Sequence, residues 1–331
     1  MSRLTESQIM GHWQVDGPIQ ISICCITYKQ ELYIEKAIDS FLMQKTSVPF
    51  EIIIGEDCGG DSTLSILSKY QVEYPNILRV LPSERNVGAN ANILSVVNSA
   101  KGRYIAFCEG DDYWIDESKI EKQFATLEKN VDVDLCFTSA KTIDSDGVIN
   151  SFANYGEIEK NFSISDVARG GGGFMPSASL FFRKNIVTRI PEWFISAPIG
   201  DFYLQILGSI NHGAIYLPHP SVVYRINATN SWSASRLYLT KNTISSTLNR
   251  LITCADGLSN CGLSVDDVSY IKAAHRTDAA VNYLRNGYFT EAKIEIAESW
   301  KTMKGIGRMQ LFLYLTRFFP KLSLFILNTK S

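Results

Sequence analysis

Tyr104-Ile105-Ala106-Phe107-Cys108-Glu109-Gly110-Asp111-Asp112 is the stretch on which the fold turns. Its apolar part, bounded by Gly102 and Gly110, reads as a buried strand. Three carboxylates, Glu109, Asp111 and Asp112, then fall at the strand's carboxyl end, the edge where open α/β sheets place their ligands. Like charges gathered there require a counter-charge. A hard divalent cation carrying phosphate oxygens supplies one, because Mg²⁺ takes one or two protein carboxylates and leaves its other positions to water and substrate phosphate. Taken alone, such a tetrapeptide is more often a solvated acidic turn, here opening the helix expected over 116–129. The pattern around it decides between the two.

Outward from that strand, the first half of the chain alternates. Ile19 to Ile26 is a β-branched run, Glu31 to Gln44 has helical spacing through Ile34, Ala37, Ile38, Phe41 and Leu42, and Phe50 to Gly55 is a short apolar strand. Ser62 to Tyr74 reads as helix, Ile77 to Leu81 as strand and Ala89 to Ala100 as helix before the strand at Tyr104. Strands alternating with helices of about 10 to 15 residues specify βαβ units and a largely parallel sheet. After Val133 to Thr138 the rhythm weakens into a loop-rich middle segment with a glycine run between Arg169 and Phe174. From Tyr238 onward the chain is helical in pattern, over Thr240 to Cys254, Ser264 to Asn286 and Thr290 to Met303.

The other strand ends carry polar residues too. The first leads into Thr27-Tyr28 with Glu31 beyond, and the second into Glu56-Asp57 followed by Gly59-Gly60-Asp61-Ser62-Thr63. A carboxylate at such an end can accept the imide N–H of a uracil. Asp61 or Ser62 suits a helix cap, whereas Asp57 lies too far from the next helix to cap it. Arg85-Asn86-Val87-Gly88, with Asn92, follows the third strand.

In this order the motifs resemble those of glycosyltransferase family 2. The family's Thr-Tyr-Asn-x-Glu-x-Tyr is matched by Thr27-Tyr28-Lys29-Gln30-Glu31-Leu32-Tyr33, and its Asp-Asp-Gly-Ser-x-Asp-x-Thr by Glu56-Asp57-Cys58-Gly59-Gly60-Asp61-Ser62-Thr63. Asn-x-Gly is Asn86-Val87-Gly88, and Asp-x-Asp-Asp is Glu109-Gly110-Asp111-Asp112. Lys29 and Cys58 depart from the family's Asn and Gly. The resemblance implies the GT-A fold: an α/β, Rossmann-like, mostly parallel central sheet flanked by helices, here with a helical C-terminal extension. The implied organisation is an N-terminal tail (1–18), a transferase domain (19–237) with a nucleotide-sugar half (19–140) and an acceptor half (141–237), and a helical region (238–331).

The same resemblance assigns Thr27, Tyr28, Glu31 and Asp57 to the nucleotide base, and Asn86 to the donor site. Asp111 goes to the ribose and Asp112 to a divalent cation, Mg²⁺ or Mn²⁺. Arg225 steadies phosphate or forms a structural ion pair, and Asn227 stands where some relatives have a His. Asp201, after a glycine and before an apolar helical run, is the expected general base, with a helix cap as its other reading. Glu157, Glu159, Asp166 and Glu192 are weaker rivals. The implied reaction is inverting transfer of a sugar, UDP-linked in expectation, to a hydroxyl of a glycan or lipid-linked acceptor in surface polysaccharide synthesis. The Gln-x-x-Arg-Trp motif of processive synthases is missing, which favours one sugar per encounter. Two other readings remain open: a sugar-phosphate nucleotidyltransferase, and a nucleotide-sugar binding protein without turnover.

Composition bounds these expectations. A formal charge of −2 over 331 residues excludes a protein dominated by nucleic-acid phosphates. The seven cysteines lack paired ligand spacing and read as reduced thiols of a cytoplasmic protein, and no secretory pattern opens the chain. The stretch from Met309 to Leu327 sets Arg317 and Lys321 among Leu and Phe residues. It fits a peripheral membrane segment on the cytoplasmic face, or an element packed on protein, in this chain or in a homo-oligomer.

Overall fold

In the computed structural model, residues 3–15, 17–144, 146–226 and 239–328 are described. Asn227 lies outside them. The βαβ half runs β1 (Ile21–Thr27), α2 (Ile34–Leu42), β2 (Phe50–Glu56), α3 (Thr63–Glu73), β3 (Leu78–Pro82), α4 (Ala89–Ser99) and β4 (Tyr104–Glu109). Before it, α1 (Glu6–Met10) is fixed by a capping box between Thr5 and Gln8 and buries Ile9 completely, so the segment expected as a tail is docked on the core.

β1 pairs in parallel with β2 on one side and with β4 on the other, and β3 continues the sheet beyond β2. The chain therefore winds outward from β1 in one direction as far as β3 and crosses back to β4. Order reverses between β1 and β4, and the crevice outside their carboxyl ends is where a sheet of this kind takes its ligand. Thr27 and Glu109 are the last residues of those strands. Both faces of the sheet are covered, which is why β1, β2 and β4 are almost continuously apolar and buried.

The middle segment is more regular than its sequence implies. It comprises β5 (Tyr113–Trp114), α5 (Lys119–Lys129), β6 (Leu135–Ile143), β7 (Ile149–Phe152), β8 (Lys160–Phe162), α6 (Ile164–Gly170), β9 (Phe181–Arg183), α7 (Gly200–Gly208) and β10 (Ala214–Arg225). β9 lies antiparallel between β4 and β6, and β10 is parallel to β6 and antiparallel to β5 and β8. β8 and β9 are too short to show a period. In β10, Pro218 and Pro220 fall where the register with β6 shifts between Leu217 and Val222, because proline cannot donate to the ladder. The glycine run closes α6 and delivers Phe174 among Phe137, Tyr155 and Phe162.

The chain divides into two compact units, Met1–Ile195 with Gly200–Ala234, and Ser196–Ile199 with Ser235–Ser331. The second holds α8 (Lys241–Ser259), α9 (Val265–Arg285), α10 (Phe289–Thr302), α11 (Arg308–Thr316) and α12 (Pro320–Asn328). Its core is built from Ile244, Leu248, Ala280, Tyr283, Leu284, Ile296 and Leu313. Pro320 separates the last two helices by opening the second, the position at which proline's missing N–H costs nothing.

Candidate active site

The carboxyl edge of β1, β2 and β4 is held together by main chain. Asp57 N donates to Thr27 O at 3.0 Å and Gly110 N to Ile26 O at 3.0 Å, so the ends of the three strands meet. Gly110 suits this meeting: a Cβ there would lie 3.0 Å from Thr27 Cβ and 2.5 Å from Gln30 Oε1, so the Gln30 amide would have to move. The chain can then turn sharply after Glu109 and present three acids within one turn.

Asp112 is buried, and only one of its oxygens is used by the protein. Oδ1 accepts from Arg225 N at 2.8 Å, whereas Oδ2 is buried without a hydrogen-bond partner. Thr27 Oγ1 and Gln30 Oε1 are likewise buried and unpartnered at this edge. Buried polar atoms are ordinarily paired, so three orphans around one crevice describe a place prepared for something polar. Burial, with Asp111 and Glu109 adding to it, pushes the Asp112 carboxyl well above its usual range. Burial likewise raises Asp111, against the opposing pull of its own main-chain N–H, Arg225 and Gln30.

Glu109 is pushed up to about 8, first by burial and then by Asp201 and Asp111. Ser177, in a 3₁₀ turn before β9, donates its hydroxyl to Glu109 Oε2 at 3.0 Å. Asp201 thus lies within electrostatic reach of Glu109, and its own half-buried carboxyl is raised by desolvation. α7 begins at Gly200, so Asp201 lies inside the first turn and not at the capping position. Tyr224 of β10 completes the group: its phenol is raised by burial and then by Asp112, Glu109, Asp201 and Asp111 together. Ser177 carries no motif in the sequence, Gln30 falls on a variable position of one, and Tyr224 precedes Arg225 in a segment similar to the family's Tyr-Arg-x-His; the tertiary fold brings the three together.

Arg225 ends β10, donates Nε to Asp111 O at 3.1 Å and lays its guanidinium over the Tyr33 ring, 4.5 Å from the centroid. Asp57 is buried, and its two oxygens accept from Val87 N at 2.7 Å and Gly88 N at 2.9 Å. It caps no neighbour in sequence but holds, across the sheet edge, the loop that leads into α4. Asn86 is exposed on that loop. Tyr28 and Glu31 are on the exposed rim: the Lys29 ammonium lies 5.1 Å from the Tyr28 ring centroid, and Glu31 Oε2 accepts from Ser62 N at 2.8 Å. Beside them a groove is lined by Lys29, Glu31, Tyr33, Gly59 and Asp61. Glu157, Glu159, Asp166 and Glu192 are exposed, and Asp166 closes a capping box with Ser163 at the start of α6.

Among the described residues no three His, Cys, Asp or Glu side chains are grouped to enclose a metal ion. The free oxygen of Asp112 is the atom available to a cation, whose remaining positions would fall to phosphate and water.

The profile described as Glycosyl transferase family 2 matches residues 22–190, more than half of the chain. The chain belongs to glycosyltransferase family 2. An uncharacterised protein of Mycobacterium tuberculosis is 33% identical to it over 216 residues, 65% of this chain and 61% of that protein, so the chain spans about three fifths of that relative's length. A poly(ribitol-phosphate) beta-glucosyltransferase of Bacillus spizizenii is 32% identical over 120 residues, 34% of this chain and 19% of that enzyme. Among solved structures, S. aureus TarS 1-349 in complex with UDP-GlcNAc aligns with a TM-score of 0.64 at 15% identity, covering 92% of this chain and 88% of that one. A likeness at that identity shows the fold: the chain has a GT-A sheet, mostly parallel and flanked by helices.

Proposed function

We propose that this transferase moves a sugar, with inversion, from a UDP-linked donor to a hydroxyl of a glycan or lipid-linked acceptor in surface polysaccharide synthesis. One observation carries the reading: the unpartnered, buried Asp112 Oδ2 lies at the crevice between β1 and β4, and Asp201 lies within electrostatic reach of Glu109 in the same acidic turn. The neighbours support the donor class, since TarS was solved with UDP-GlcNAc and the Bacillus relative is a glucosyltransferase.

In this reading Thr27, Tyr28, Glu31, Asp57 and Asn86 frame the base and its loop, Asp111 takes the ribose, and Arg225 lies toward the diphosphate. Asp57 spends one lone pair of each oxygen on the loop and keeps others for an imide N–H. A divalent ion, Mg²⁺ or Mn²⁺, held at Asp112 would orient the diphosphate and offset the charge that develops on it. Asp201 accepts the proton of the acceptor hydroxyl as its oxygen bonds the anomeric carbon and the bond from that carbon to the diphosphate oxygen breaks. The nucleoside diphosphate leaves with the electron pair, and the anomeric configuration inverts. A half-buried carboxylate with a raised pKa is the stronger base for this step.

The test is UDP release from UDP-sugars, with and without acceptor, by the wild type and Asp201→Asn. The variant should lose about 10² to 10⁴ in kcat while UDP affinity and thermal midpoint stay unchanged. Wild-type turnover in Asp201→Asn refutes the role.

A further inference from the structure

The C-terminal unit turns large apolar side chains to solvent along its last two helices. Leu311, Leu315, Phe318, Phe319, Leu322 and Phe325 are between 45% and 67% exposed. Exposed apolar residues are unremarkable singly, but six within fifteen positions, on two consecutive helices and the turn between them, call for a partner. The inward side of the same helices is already satisfied: Gln310, Leu313, Ser323 and Leu327 are buried. The outward residues are therefore surplus to the fold.

Charge identifies what would cover them. Residues 303–328 contain no Asp or Glu and four cations, Lys304, Arg308, Arg317 and Lys321, in a chain whose net charge is −2. The Arg317 guanidinium lies 4.5 Å from the Phe318 ring centroid, and the Lys293 ammonium of α10 lies 4.6 Å from the same ring. Cations set around exposed aromatic rings match a surface that is apolar beneath an anionic skin, which is the interface of a bilayer containing acidic lipids. A second copy of the patch would instead oppose like charges. No helix among the described residues is long and apolar enough to cross a membrane, and α11 and α12 are nine residues each, about 13 Å, so a bilayer would take them lying in its plane.

We propose that α11 and α12 form a monotopic docking face for an anionic lipid surface. The inference concerns binding alone and does not depend on the transfer reaction. The experiment is flotation of the full chain with phosphatidylcholine vesicles, with and without phosphatidylglycerol, at low and high salt. The wild type should float with the acidic vesicles, less with the neutral ones, and less at high salt. Phe318→Ser/Phe319→Ser/Phe325→Ser should lower partitioning at least tenfold, and Lys304→Gln/Arg308→Gln/Lys321→Gln should remove the preference for acidic vesicles. All six positions are exposed, and an unchanged thermal midpoint confirms that the fold is kept. Failure of the wild type to bind acidic vesicles overturns the proposal, as does undiminished binding by the triple Ser variant. A wild-type dimer in solution that the Ser variant abolishes, without vesicle binding, overturns it in favour of self-association.

Discussion

Gly200→Ala tests how the proposed base is placed. Gly200 opens α7 directly before Asp201, and an ideal Cβ on it would fall 1.9 Å from Asn90 Oδ1. Ordinary contact begins near 3.4 Å, so the two elements must part by about 1.5 Å. Asn90 is ill suited to yield, because it is buried and its Nδ2 donates to Phe194 O at 2.9 Å; turning the amide away breaks that bond. The displacement therefore falls on the first turn of α7 and moves Asp201 with it. A misplacement of about 1 Å at a reacting group can cost on the order of 10² in rate. Crowding of this kind costs roughly 1 to 3 kcal/mol of stability, against a gain of up to about 1 kcal/mol from exchanging helical Gly for Ala. The expected outcome is a kcat lowered about a hundredfold, with UDP affinity unchanged by titration and a modest fall in thermal midpoint. Asn90→Ala/Gly200→Ala removes the clashing atom and should recover part of the lost kcat, a coupling that adjacent sites show and distant ones do not. A folded Gly200→Ala enzyme with wild-type kcat would refute the argument that this close approach aims Asp201.

Three further outcomes follow from the same edge. Asp112→Asn should keep its bond to Arg225 N and its fold while losing divalent-dependent transfer; wild-type activity that survives excess chelator, or full activity in the variant, removes the cation from Asp112. Asp57→Ala strips two main-chain N–H groups of their acceptor, so both UDP affinity and thermal midpoint should drop, the latter through a loss of about 1 to 3 kcal/mol; an unchanged midpoint disproves the loop-holding role, and unchanged affinity disproves the base contact. Cys58→Gly should stabilise by up to about 1 kcal/mol, because Cys58 sits at φ 56° where a side chain costs roughly 1 to 2 kcal/mol and glycine's extra chain entropy takes back roughly half; thermal melting at equal conditions decides, and a fall in midpoint sinks the strain argument.

What the sequence disclosed and what it withheld divide along physical lines. β1, β2 and β4 were readable because strands of a parallel sheet covered on both faces must be apolar throughout, and the acids were readable because they interrupt that run at the ligand edge. Ser177 was not, since a hydroxyl that reaches an acid from a distant element leaves no local trace. Asp57 was half readable: its distance from α3 ruled out a cap there, yet its grip on Val87 and Gly88 depends on β3 lying beside β2. Two of the departures from the family pattern are the most instructive. Lys29 and Cys58 replace an Asn and a Gly, and both take positive φ, 55° and 56°. Asn and Gly are the residue types that enter the left-handed region most cheaply. The motif at these positions thus specifies a path of the main chain and not a side chain, and here the path survives with residues that strain it. Thr27, whose Oγ1 is left open, stands two residues before Lys29, and its carbonyl receives the Asp57 N–H directly before Cys58, so the two left-handed residues follow the contact that joins the ends of β1 and β2.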